Sequence, residues 1–205
     1  MSISRSPSKK TVGILTVGAV PIIFPNISGE PPSRERERFS EMGFGKKREG
    51  KGLWESQEDE IFAASRLDIP GAWQMPQGGV DEGEDPRNAA IRELREETGV
   101  TSAEVLKEAP YWLTYDFPPK VREKLNSQWG SDWKGQAQKW FLLRFTGKEE
   151  EINLLGDGTE KAEFGEWSWM SPDQVVELAV DFKKPVYEEV LKAFSPYLQS
   201  DSVEV

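Results

Sequence analysis

Apolar and polar positions along this chain change period several times, and each change marks an element. From Ile61 the short apolar run "IFAASRL" predicts a strand. "DIPGAWQMPQGG" then predicts a turn, a short strand and a glycine loop. Between Pro86 and Thr98 the spacing turns helical, with Ala90, Ile91 and Leu94 on one stripe that can face a core. Asp85 and Pro86 supply an acidic cap and a first-turn proline, and Gly99 supplies the stop. "TSAEVLKEAPYWLTYDF" predicts strands, and Pro119 to Asn126 a helix. In "QAQKWFLLRF", Trp140, Leu142 and Arg144 alternate with Phe141, Leu143 and Phe145, a strong strand pattern. "EFGEWSWM" predicts a further strand, "SPDQVVELAV" a serine-capped helix and "PVYEEVLKAF" a closing helix. Strands mixed with a few helices, without regular alternation, predict an α/β fold built on a mixed sheet.

Residues 1–57 have a different texture. "TVGILTVGAVPIIF" reads as a first strand at about 11–19, or as part of a targeting segment, because the first 29 residues carry Arg5, Lys9 and Lys10 and no acid. "SGEPPSRERERFSEMGFGKKREGKG" has no apolar period and reads as a disordered insert. Its basic cluster, Lys46, Lys47 and Arg48, reads as part of a solvated loop. The domain itself is expected over 58–198, with a tail at 199–205. No stretch approaches the roughly twenty apolar residues that a spanning helix needs, so no membrane association is expected. The expectation is a soluble, intracellular monomer, cytoplasmic first and plastid as the alternative.

Composition narrows the chemistry. Eight tryptophans and ten phenylalanines argue against a wholly disordered chain. A net charge of −10 disfavours a protein held to nucleic acid by general charge attraction. The chain has no cysteine and no histidine. That removes thiolate nucleophiles, imidazole bases and the usual zinc ligands, so acid–base or metal work falls to carboxylates. Oxygen ligands of that kind suit Mg²⁺, with Mn²⁺ as the alternative.

One helix concentrates such ligands. Glu93, Glu96 and Glu97 stand at i, i+3 and i+4, where like charges cost a few tenths of a kcal/mol per pair. A solvated acidic face explains that helix taken alone. With the residues before it, the segment reads Gly78, five residues, Glu84, seven residues, then "RELREETGV" from Arg92 to Val100. Gly78 to Val100 resembles the Nudix box at every defined position. The resemblance implies a Nudix-type α/β/α sandwich with a mixed β-sheet. It also implies divalent cations held by Glu93, Glu96 and Glu97, helped by the Gly78 carbonyl, with Arg92 positioning a glutamate. The general base would be a carboxylate, with Glu96, Glu97 and Glu163 all open.

The resemblance extends over about residues 59–198. "RLDIPGAWQMPQGGVDEGEDP", "WLTYDFPPKVREKL", "GQAQKWFLLRF", "EFGEWSW" and "FKKPVYEEVLKAF" are similar to plant asymmetric diadenosine tetraphosphate hydrolases and bacterial RNA 5′-pyrophosphohydrolases. It implies Tyr115 stacking on a base, and Gln136, Gln138 and Lys139 near the polyphosphate. It also implies Phe182 and Lys183 as a second base- and phosphate-contacting pair, Arg66 on phosphate, and Glu163 completing the metal site. The expected reaction is Mg²⁺-dependent cleavage of diadenosine tetraphosphate to ATP and AMP. RNA 5′ ends, guanosine tetraphosphate and diadenosine pentaphosphate are the alternative substrates. A Nudix-fold module that binds nucleotides without turnover is the alternative of another class. The departure lies at the N-terminus. "KTVGILTV" resembles the family's first strand at Val12, Gly13 and Ile14, yet about forty residues separate it from the next matching segment. That gap is either an insertion, or a sign that the N-terminus is unrelated sequence.

Overall fold

A computed structural model describes residues 12–20, 23–25, 59–130, 133–156, 158 and 161–198. The insert expected between the first strands, most of the charged N-terminus and the tail at 199–205 lie outside the described residues. Three strands make the centre of a mixed sheet: β1 (Val12–Val20), β3 (Asp59–Arg66) and β8 (Trp133–Phe145). β1 runs parallel to β3, with Ile14 opposite Ile61, and antiparallel to β8, with Gly18 opposite Trp140. Further along, β1 also runs parallel to β5 (Gln77–Gly79). β5 occupies what the sequence suggests is a glycine loop; here the backbone of Gln77 to Gly79 lies in ladder register with Gly18 to Val20. β2 (Ile23–Pro25), β6 (Ala103–Glu108) and β7 (Leu113–Asp116) pair with β8, while β4 (Trp73–Gln74) and β9 (Phe164–Met170) pair with β3.

Alternation along the central strands sends side chains into two cores. Ile61, Ala63, Trp140 and Leu142 point to one face, where α3 (Pro172–Leu178) and α4 (Lys184–Leu198) bring Val175, Tyr187, Val190 and Phe194. Phe62, Ala64, Phe141 and Leu143 point to the other, where α1 (Pro86–Thr98) brings Ala89, Ala90 and Leu94. The sheet is therefore covered by helices on both faces, an α/β/α sandwich. The fourth helix, α2 (Pro119–Trp129), follows β7.

α1 starts and stops where its sequence signals place it. Asp85 accepts from the backbone N–H of Arg87 (3.0 Å) and Asn88 (3.3 Å), and the Gly99 N–H donates to Arg95 O at 2.8 Å. Its apolar face differs from the expected stripe. Ile91 is 45% exposed, and Ala89 and Thr98 are buried with Ala90 and Leu94 instead. At 100° per residue, Glu97 stands only about 20° from Ala90 and Glu93 about 60° from it. The glutamate stripe thus adjoins the buried face of α1, and Ile91 falls on the solvent flank.

Candidate active site

The Nudix-like segment folds so that β5 lies against the acidic side of α1. A Cβ added at Gly78 would sit 1.8 Å from Glu93 Oε2, so only glycine lets the strand approach the carboxylate this closely. One residue earlier, the Gln77 N–H donates to Glu97 Oε2 at 2.9 Å. Arg92 organises the rest through five hydrogen bonds. Its Nε and Nη2 grip Glu84 (3.1 and 2.8 Å), Nη1 reaches Glu93 and Glu96 (both 2.8 Å), and Nη2 also donates to Gly79 O at 2.7 Å. The Arg92 hydrogen bonds are the first cause of a lowered pKa at Glu84. In the sequence Glu84 is marked only by its spacing from Gly78 and Arg92, and its ion pair with Arg92 gives that spacing a physical role.

Two of the other box glutamates, Glu97 and Glu93, have raised pKa values. Burial comes first for Glu97, followed by the charges of Glu163 and Glu93, and places it well above the ordinary carboxylate range. Burial also raises Glu93, against the pull of Arg92. An all-oxygen set, crowded and partly withdrawn from water, suits a hard divalent cation, which would favour the ionised forms. Among the described residues, no three acidic side chains already converge at metal-binding geometry, because Glu93 and Glu96 are turned onto Arg92. A cradle that a Cβ would fill and a donor set of this chemistry nevertheless fit Mg²⁺ or Mn²⁺.

The cleft around these groups is also lined by Arg66, Asp68, Leu154, Lys161 and Glu163. Arg66, at the end of β3, is ion-paired with Glu163 and with Asp68 (2.8 Å). Glu163 is therefore gathered into the same cleft as Glu93, Glu96 and Glu97, from the segment leading into β9. Lys161 and Asp68 were not singled out by the sequence, since neither belongs to a periodic pattern or to the box spacing.

A second cluster lies on the α4 side of the sheet. The Tyr115 hydroxyl donates to Gln136 Oε1 at 2.5 Å, Gln138 Nε2 reaches the same oxygen at 3.4 Å, and Trp140 Nε1 donates to Gln138 Oε1 at 3.1 Å. Gln138 is fully buried, and its side chain is satisfied within this chain of bonds. The Phe182 ring lies 5.8 Å from that of Tyr115, tilted by 34°. Burial raises the Tyr115 phenol above its usual value. Lys183 links the two clusters: its Nζ donates to Gln74 Oε1 at 2.7 Å, and it feels the charges of Arg66, Glu97 and Glu163. Burial, and then the Arg66 charge, lower the Lys183 pKa to about 7. Lys139 stands apart, ion-paired to Glu108 at 2.8 Å with its Nζ 5.9 Å from the Trp112 ring centroid.

The site thus joins a mixed sheet between helices to an arginine-clamped acidic helix packed against a glycine strand. A NUDIX domain profile matches residues 51–193, and the chain belongs to that family. It is 79% identical over 140 residues to Nudix hydrolase 26, chloroplastic, of Arabidopsis thaliana, covering 68% of this chain and 65% of that one. It is 70% identical over 138 residues to Nudix hydrolase 27, chloroplastic, of the same plant, covering 67% of this chain and 61% of the relative. The chain thus spans under two thirds of the length of these two. Against the RNA pyrophosphohydrolase of Cereibacter sphaeroides it is 51% identical over 146 residues, covering 70% of this chain and 86% of the relative. The E. coli dihydroneopterin triphosphate pyrophosphohydrolase shares the fold, with a TM-score of 0.51 at 15% identity, over 84% of this chain and 92% of that one.

Proposed function

We propose that the chain is a Mg²⁺-dependent pyrophosphohydrolase that cleaves diadenosine tetraphosphate to ATP and AMP by water attack. The observation that carries this reading is the cleft in which Arg92 gathers Glu84, Glu93 and Glu96 beside Glu97 and Glu163. Mg²⁺ or Mn²⁺ bound there would neutralise phosphate charge and lower the pKa of the attacking water. Glu93, Glu96, Glu97 and Glu163, with the Gly78 carbonyl, are the residues that would hold it. Among the three candidates for general base, Glu96 is engaged by Arg92 and Glu163 by Arg66, whereas Glu97 accepts a single backbone N–H. We therefore assign the proton-accepting role to Glu97, a step typically worth about 10²–10⁴-fold. Arg66 and Lys161, which line the cleft, would supply positive charge for the polyphosphate. The Tyr115–Phe182 pair offers a ring face to a base, with Gln136 and Gln138 fixing the tyrosine; such stacking is worth about 1–3 kcal/mol.

A second reading, removal of pyrophosphate from RNA 5′ ends, is favoured by the 51% identity to a protein named RNA pyrophosphohydrolase. Both readings use the same cleft, and the retained box glutamates count against a module that binds without turnover. Two relatives carry "chloroplastic" in their names, which favours the plastid over the cytoplasm for this chain. One chain furnishes every group named, so a monomer suffices. Purified full-length protein, offered diadenosine tetraphosphate, guanosine tetraphosphate and triphosphate-ended RNA with Mg²⁺, tests the choice. Fastest turnover on the dinucleotide supports the first reading, and fastest turnover on RNA replaces it with the second.

A further inference from the structure

The loop between β8 and β9 is fastened onto the far end of α1 at several points. Glu151 Oε1 accepts from the Thr101 N–H (2.7 Å), the Thr101 hydroxyl (2.8 Å) and the Ser102 N–H (2.9 Å). The Asn153 N–H donates to Thr98 O at 2.8 Å. The Asn153 side chain then folds the loop back, accepting from the Leu155 N–H (3.1 Å) and donating to Gly156 O (3.3 Å). This turn presses Gly156 against the backbone of Glu96: a Cβ added there would lie 1.6 Å from Glu96 O and 2.7 Å from its carbonyl carbon. Gly156 also has φ +61°, which L side chains adopt with strain. Gly158, two residues on, has φ +83° but, among the described residues, a Cβ there would meet nothing within 4 Å. The same loop turns Leu154 into the glutamate cleft and leads on to Glu163.

We propose that Gly156 is a positioning residue for the metal-binding carboxylates, its bare Cα seating the β8–β9 loop against Glu96 so that Glu96 and Glu97 are held in register with Gly78 and Glu163. The inference rests on the metal-dependent reading above and extends the site to a loop outside the Nudix box. A backbone carbonyl cannot yield without moving the helical turn that carries both glutamates. Any side chain at 156 therefore displaces ligands on one wall of the cleft relative to Glu163 on the other.

Mn²⁺ titration of the full chain, followed by calorimetry without nucleotide, reads this directly. Gly156→Ala is expected to bind Mn²⁺ at least about tenfold more weakly, the usual cost of losing an outer support of a metal site. Gly156→Asn, which tolerates the left-handed backbone but still carries a Cβ, is expected to be equally weak. Gly158→Ala bears a similar backbone strain without the contact and is expected to keep the affinity of the parent. If Gly156→Ala fails to fold by circular dichroism, Asn153→Ala carries the test. It removes the two side-chain bonds that fold the loop around Gly156, leaving the backbone bond from the Gly156 N–H to Asn153 O and adding no atom, and is expected to weaken Mn²⁺ binding several-fold. Parent-like affinity in the folded Gly156→Ala variant, or in Asn153→Ala where that one does not fold, overturns the positioning role. So does an equal loss in Gly158→Ala. If the parent chain takes up no Mn²⁺ and Glu97→Gln changes nothing, the metal reading falls, and the positioning role with it.

Discussion

Arg92 makes five hydrogen bonds to three carboxylates and one carbonyl, a geometry only a planar guanidinium can meet. Arg92→Lys keeps the charge but loses the fork on Glu84, and kcat is expected to fall about 10–100-fold through misplaced Glu93 and Glu96. A steady-state comparison checks it, and an unchanged kcat would mean that Arg92 does not position these carboxylates. Lys183 gives a pH prediction at the same scale. Its pKa is about 7 in the folded chain against an ordinary 10.5, so between these values the unfolded chain binds the extra proton. Stability on its account is lowest below pH 7 and rises as pH climbs toward 10.5. Lys183→Met is expected to raise the urea midpoint most below pH 7, with the gain shrinking toward pH 10 in the presence of EDTA. A gain that does not vary with pH contradicts the assignment. The box residues were legible because their spacing is local. The Lys183–Gln74 bond joins residues 109 positions apart, and no sequence period marks it.

Elements with strong end signals were legible to within a residue or so. α1 runs from Pro86 to Thr98 because Asp85 caps two N–H groups and Gly99 closes the last turn. Asp85→Ala is expected to cost about 1 kcal/mol in urea unfolding. Hydrophobicity alone puts Ile91 in the apolar stripe, but the facing sheet decides which residues are covered. Small Ala89 lets α1 approach Phe62 and Ala64, and the larger isoleucine turns to solvent. β5 escaped a strand reading because glycine has low strand preference. It is a strand because β1 pairs with it and Gly78 must pass Glu93 closely. Neither fact is local in sequence.

Across the whole molecule, β8 joins the two cores, with Trp140 and Leu142 in one and Phe141 and Leu143 in the other. The alternation was visible in "QAQKWFLLRF", but not which helix would cover which face, since that depends on long-range pairing. A shared strand predicts a single cooperative transition. Leu94→Ala, which opens space beneath α1, is expected to cost about 2–5 kcal/mol without splitting that transition. Two separate transitions would mean that the cores fold independently. Lys183, next to Phe182 in the chain, bonds Gln74 and feels the charges of Arg66, Glu97 and Glu163, so the Tyr115–Phe182 ring pair is tied to the carboxylate cleft through one lysine. The most direct measurement is product analysis of full-length protein and Glu97→Gln with diadenosine tetraphosphate and Mg²⁺. Equal ATP and AMP from the parent, loss of both on adding EDTA, and a rate at least about 10²-fold lower for Glu97→Gln are expected. Two ADP as products, turnover in EDTA, or parent-like activity in Glu97→Gln would contradict the proposed reaction.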